Sequence, residues 1–187
     1  MKPGEVYKTF ETAAGKRVAL RSLRWDDLDD CLEFAHGLAE EHSLDINHGT
    51  LMSRAPNRNE EAAWLSANLI AIETGGIVSV AAEVDGKLVA NSEVRREKNE
   101  DVSTSGSLGI AVAKPYRRMG LGKQMLLTLL DESRKQGLKT VELRALANNE
   151  GAVSLYQQVG FARVGIIPKK IRRRGAVFDE LIMAIEL

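Results

Sequence analysis

The stretch from Leu108 to Gln136 constrains the fold more than any other part of the sequence. Leu108 to Val112 is an apolar run that reads as a buried strand. Pro115-Tyr116-Arg117-Arg118-Met119-Gly120-Leu121-Gly122-Lys123 follows, and from Leu121 onward Leu121, Met125, Leu129 and Glu132 fall near one helical stripe. A strand therefore ends, the chain turns through two glycines, and a helix opens. Glycine lets backbone approach a ligand closely, and the first turn of a helix leaves N–H groups without partners. Those donors and the helix dipole favour an anion, phosphate above all, and Arg117, Arg118 and Lys123 add positive charge at the same point. The plain alternative is an ordinary strand-to-helix turn with solvated basic residues. The spacing is neither that of the G-x-x-x-x-G-K-[ST] loop nor that of the three-glycine dinucleotide loop.

The rest of the chain reads as strands interleaved with helices. Lys16 to Leu23 alternates as a strand, and Leu28, Cys31, Ala35 and Leu38 mark a first helix. His42 to Asn59 is a polar stretch that breaks the pattern, and its histidines, His42 and His48, have no partner at metal-ligand spacing. Asn59 is placed to cap a second helix carrying Ala62, Leu65, Leu69 and Ile72, which Gly75 and Gly76 end. Val78 to Val84, Asp85-Gly86 and Lys87 to Arg95 form a hairpin signal with a tight type I′ turn. Regular alternation from that turn sets Glu93 opposite Val78, on the face of Val78, Val80 and Val89. Thr140 to Ala145 reads as a strand and Glu150 to Val159 as a short helix. Arg163 to Ile167 and Val177 to Ile185 read as closing strands separated by Pro168 and the basic run Lys169 to Arg174. An α/β domain with a mixed sheet follows from this order.

With 187 residues the chain suits one well-packed domain over 1–187, and a hydrophobic content of 44% supports a globular core. Basic and acidic residues balance at 26 each, which gives no global charge for nucleic acid or a membrane surface. Cys31 is the only cysteine, so an intrachain disulfide and a cysteine-based zinc site are excluded, and Cys31 reads as a core residue. No run has the length of a membrane span and Met1 to Phe10 lacks a signal-peptide core, so a cytoplasmic protein is expected.

Arg117, Gly120 and Gly122 match R-x-x-G-x-G, and Asn149-Glu150-Gly151-Ala152-Val153-Ser154-Leu155-Tyr156-Gln157-Gln158-Val159-Gly160-Phe161 matches N-x-x-A-x-x-L-Y-x-x-x-G-F. Together, in this order and with a strand between them, they resemble the GCN5-related N-acetyltransferases. The resemblance implies a mixed, mostly antiparallel sheet of about seven strands with helices on both faces and a splayed central strand pair. It also implies acetyl-coenzyme A as co-substrate, with its diphosphate in the loop Arg117, Arg118, Met119, Gly120, Leu121, Gly122 and Lys123. Its pantetheine arm would pair with the backbone of Ile110, Ala111 and Val112, and no metal is called for. Asn149 would touch that arm, although asparagine before a helix is also an excellent cap. Tyr156 would give a proton to the departing sulfur, its plainer reading being a half-buried helix aromatic.

The sequence departs from the family at the general base. Ser107 stands near the position where many members carry a glutamate, and Arg144 stands where others carry one on the next strand. Glu93 is the substitute expected here, with a water relay as the alternative. The implied activity is acetyl transfer to a primary amine, a small molecule in preference to a protein N-terminus or lysine. A coenzyme A-binding sensor without efficient chemistry is the rival. The basic run Lys169 to Arg174 reads as a solvated loop and not as a nucleic-acid site, since no aromatic platform is interleaved. A homodimer is compatible with the sequence.

Overall fold

A computed structural model describes residues 1–12, 15–49, 52 and 54–187. Eight strands form one sheet in the order β1-β2-β3-β4-β5-β6-β8-β7. In chain order they are β1 (Val6–Glu11), β2 (Arg17–Arg21), β3 (Ile77–Val84), β4 (Lys87–Arg96), β5 (Ser105–Val112), β6 (Thr140–Leu146), β7 (Ala162–Arg173) and β8 (Ala176–Glu186). The helices are α1 (Leu28–Leu44), α2 (Arg58–Glu73), α3 (Leu121–Lys135) and α4 (Glu150–Gln158). Every neighbouring pair is antiparallel except β5 and β6.

Alternation along the strands divides the core in two. Val78, Val80, Ala82 and Val94 pack with Leu121, Met125, Leu126 and Leu129 of α3 on one face. Ile77, Ala81 and Leu88 pack with Cys31 of α1 and Leu65, Leu69 and Ile72 of α2 on the other. Cys31 is buried, as expected, and burial pushes its thiol up to about 12, so it stays a neutral packing group. Arg21, on β2, is buried and bridges Asp27 at 2.7 Å and Glu83 at 2.8 Å.

Asp85 and Gly86 both take positive φ, 51° and 86°, as the type I′ turn requires. Beyond that turn the expected register fails. Glu83 opposes Leu88, but Ala82 opposes Ala90, so Val89 is an extra residue that bulges out of β4. One extra residue reverses every later side chain. Glu93 therefore opposes Ser79, not Val78, and lies on the α1–α2 face instead of the Val78–Val80 face.

Four further boundaries differ. β1 is an additional strand, paired with β2. α1 continues through His42 to Leu44, which shortens the polar connection. The cap of α2 is Asn57, whose side chain accepts from Glu60 N at 3.0 Å, and not Asn59. The basic run is not a loop: β7 continues through Pro168 to Arg173, with a register shift between Ile167 and Ile171, and turns only at Arg174-Gly175. Thr50, Leu51 and Ser53, within the polar stretch, lie outside the described residues.

Candidate active site

β5 and β6 are paired only from Ser105–Thr140 to Leu108–Leu143. Beyond that point β5 stays with β4, Ala111 opposing Asn91 and Val112 opposing Ala90. β6 stays with β8, as far as Leu146 opposite Glu180. The two strands thus part in the middle of the sheet, and a cleft of about 1480 Å³ opens there. Gly109, Ile110, Ala111 and Val112 line one side, and Arg144, Ala145 and Leu146 the other.

The loop after β5 enters the same cleft with Arg117, Arg118, Gly120, Leu121, Gly122 and Lys123. Arg118 and Gly120 both adopt left-handed backbone, φ 62° and 81°. Alternating a left-handed residue with an ordinary one turns successive N–H groups inward, which makes an anion-binding concavity. Gln124 N donates to Gly120 O at 3.2 Å, so the N–H groups of Leu121, Gly122 and Lys123 lie before the first helical bond of α3. A Cβ at Gly120 would meet nothing within 4 Å, whereas one at Gly122 would stand 3.1 Å from Leu155 Cδ2. Gly120 is thus required for its backbone angle and Gly122 for the close approach of α4. These residues fit a diphosphate.

Arg117 behaves differently from Arg118. Its Nε donates to Val112 O at 2.8 Å, and Nη1 lies 2.7 Å from Glu41 Oε2. His48, buried beside them, brings Nε2 to 3.4 Å from both the Glu41 carboxylate and Arg117 Nη2. Burial lowers the His48 pKa from its ordinary value, so the ring is neutral near pH 7. The sequence draws attention to His48 without assigning it a role, and gives no sign of Glu41. Helical periodicity does place Glu41 one turn after Leu38, but nothing in it indicates an arginine seventy-odd residues away.

Met119 packs at the edge of the core beside the loop. Asn149 caps α4, its Oδ1 accepting from Ala152 N at 3.2 Å, and also lines the cleft. Tyr156 is 8% exposed, lines the cleft, and meets Phe161 edge-on with centroids 6.1 Å apart. Desolvation pushes its phenol up to about 12, so the hydroxyl remains a proton donor at neutral pH. Glu93 opposes Gly109 across β4 and β5 and is ion-paired with Arg95 at 3.0 Å. Arg144 bridges Glu180 at 3.1 Å, and Ser107 opposes Arg95 on the paired part of β5.

The end of the basic run points inward. Arg173 is buried and donates to Ile46 O at 3.3 Å and to His48 O, while Arg174 donates to His42 O at 3.1 Å and to Ser43 O. These arginines tie the β7–β8 hairpin to the end of α1 and the connection after it, which is not what a solvated loop would do.

A sheet opened between two parallel neighbours, with a glycine-shaped helix start and a buried tyrosine at the opening, defines an acyltransferase-like class of fold and site. The family model described as the acetyltransferase (GNAT) family matches residues 32–161, and the chain belongs to that family. A ribosomal-protein-alanine N-acetyltransferase of Escherichia coli is 36% identical over 78 residues, 42% of this chain and 53% of that protein. The probable N-acetyltransferase camello of Xenopus tropicalis is 33% identical over 95 residues, 49% of this chain and 42% of that protein. The chain thus matches about half the length of these curated relatives. Among solved structures, a GNAT-family acetyltransferase of Streptococcus pneumoniae superposes with a TM-score of 0.80 at 19% identity, covering 91% of this chain and 99% of that one. RimJ of Mycobacterium smegmatis, in complex with CoA-disulfide, gives 0.77 at 21% identity, covering 100% and 90%. These structural likenesses establish the fold, and the strand pairing itself gives the mostly antiparallel sheet with its β5–β6 pair splayed. Its strand number is eight, not seven.

Proposed function

We propose that the chain transfers the acetyl group of acetyl-coenzyme A to a primary amine by direct attack within a ternary complex. One observation carries this reading: the open edge of β5, the start of α3 and the Tyr156 side chain line a single cleft. Bound acetyl-coenzyme A would supply an activated acyl thioester. The N–H groups of Leu121, Gly122 and Lys123, with the Arg118 and Lys123 side chains, hold the diphosphate. The backbone of Ile110, Ala111 and Val112 holds the extended amide arm, and an N–H of this edge stabilises the developing oxyanion. Asn149 caps α4 and borders the same arm. Tyr156 gives its proton to the departing sulfur. Glu93, oriented by Arg95, receives the proton that the amine loses, directly or through water. Arg117 braces the loop and does not grip phosphate.

The acceptor enters between α1 and α2, where Phe34, Leu38 and Trp64 line the cleft. A small primary amine is the preferred acceptor, and a cytoplasmic location goes with it. A protein N-terminus is the second reading, favoured by the name of the Escherichia coli relative. Release of free thiol from acetyl-coenzyme A, followed with a panel of small amines and with peptides bearing free N-termini, tests the proposal. A protein that binds the cofactor yet releases no thiol with any acceptor would be a coenzyme A sensor, and the proposal would fail.

A further inference from the structure

α2 and β4 bring three glutamates to the cleft, and they are not equally satisfied. Glu60 is matched by Arg54 at 2.6 Å and by Asn57 N at 2.9 Å. Glu93 is matched by Arg95. Glu61 is only 6% exposed, yet among the described residues its side chain has no hydrogen bond and no ion pair, its one bond being from its backbone N–H to Asn57 O at 3.0 Å. It sits one turn before Leu65, on the buried side of α2, at a place where Ala62 would be expected to pack. Its oxygens are not among the unpartnered side-chain atoms closed off from solvent, so the carboxylate opens onto the cleft, and losing most of its water without a partner is costly. Burial accordingly pushes the Glu61 carboxyl up, and the only opposing influence is the charge of His36, whose Nε2 is occupied by Pro56 O at 2.8 Å.

A second unmatched acceptor lines the same cleft. Asn91 Oδ1 is buried without a hydrogen-bond partner among the described residues. Asn91 lies on the α1–α2 face of β4 directly opposite Ala111, at the open part of β5. Trp64, three residues after Glu61 on α2, also lines the cleft. Two oxygen acceptors without donors and an indole ring make a receptor for a cation rich in N–H groups. The reacting nitrogen does not satisfy it, because that nitrogen has to be neutral when it attacks.

We infer that Glu61, Asn91 and Trp64 form a subsite for a second positive charge on the acceptor, so that the preferred substrate is a small amine carrying a further ammonium or guanidinium group. The inference rests on the acetyltransferase reading for its name of acceptor, but its test is a binding measurement that needs no turnover. Cadaverine and pentylamine differ by one terminal ammonium group. Calorimetric titration of the wild-type chain should give cadaverine about tenfold or more tighter binding than pentylamine. Glu61→Gln should reduce that preference to about twofold or less. A coenzyme A-induced rise in melting temperature in the variant shows that it is folded. Equal affinity of the wild type for the two amines overturns the inference whether or not the variant folds, and so does a preference that survives Glu61→Gln. Absence of thiol release in either protein, with the binding preference intact, would count against acetyl transfer alone.

Discussion

Arg117 and Glu41 face each other as a two-pronged ion pair, with Nη1 2.7 Å from Oε2 and Nη2 3.0 Å from Oε1. The arginine of the R-x-x-G-x-G motif thereby joins the end of β5 to the last turns of α1. Charge-assisted hydrogen bonds of this kind contribute more than neutral ones. Glu41→Ala and Arg117→Ala should each lower unfolding free energy by about 1–2 kcal/mol, and the double variant should lose about 1 kcal/mol less than their sum. Urea unfolding of the four proteins measures this; strict additivity would mean that the pair does not couple.

Gly120→Val should fold and lose the cofactor. At φ 81° a β-branched side chain is strained, and the space a Cβ would enter is the open mouth of the loop. Acetyl-coenzyme A at 100 times its dissociation constant should stabilise the wild type by about 2.7 kcal/mol. Most of that gain should disappear in the variant. A folded Gly120→Val protein with wild-type cofactor affinity would disprove the loop assignment.

Tyr156→Phe should leave cofactor affinity nearly unchanged and slow turnover by about 10²-fold or less, since the departing thiolate is a weak base. The hydroxyl also predicts a stability effect. Its folded pKa, about 12, exceeds the ordinary value of 10.0. Its contribution is therefore fully present below the unfolded value and is lost as pH rises through the folded one. The loss of stability on titrating from neutral pH through that window should be smaller in the phenylalanine variant. Identical alkaline unfolding curves would contradict the burial argument, and unchanged turnover would return Tyr156 to a packing role.

Glu93→Gln keeps size and hydrogen bonding and removes the base. Turnover should fall most at low pH, where little free amine exists, because an aliphatic amine has a pKa near about 10.4. Comparison of pH–rate profiles checks this. An unaltered profile would transfer proton removal to a water relay.

Asp27→Asn should cost about 3–5 kcal/mol by leaving Arg21 with an incomplete set of partners in the core. Both side chains are 2% exposed, and Asp27 additionally accepts from Arg24 N at 2.9 Å. Cofactor affinity of the folded fraction should be unaffected, since neither residue lines the cleft. Thermal unfolding with and without coenzyme A separates the two effects.

Local chemistry accounts for what the sequence revealed. Gly120 and Gly122 announced the start of α3, Asp85-Gly86 the hairpin, and the two motifs the family, because each is a short-range pattern with one backbone solution. Asn59 misled because Asn57 offers the same capping chemistry two residues earlier and also has Glu60 at the reciprocal position of a capping box. The inward role of Arg173 and Arg174 was hidden, since a run of basic residues carries no mark of the carbonyls it will meet. Glu61 was hidden for the opposite reason: periodicity assigns buried positions to apolar residues, and an unpaired glutamate breaks the rule it relies on.

Val89 has an importance that substitution would not reveal. Replacing it with another apolar residue would alter a little packing and leave β4 in register. Deleting it would remove the bulge and exchange the two sides of the strand, so that Ser92 and Val94 would face α1 and α2 while Glu93 would be driven into the helix α3 core. What the α1–α2 side of the sheet presents thus depends on a length in residues as much as on their identity. Chain-length variation between Gly86 and Asn91, and not amino-acid replacement, is the change by which a relative with the same helices could present a different set of side chains to its substrate.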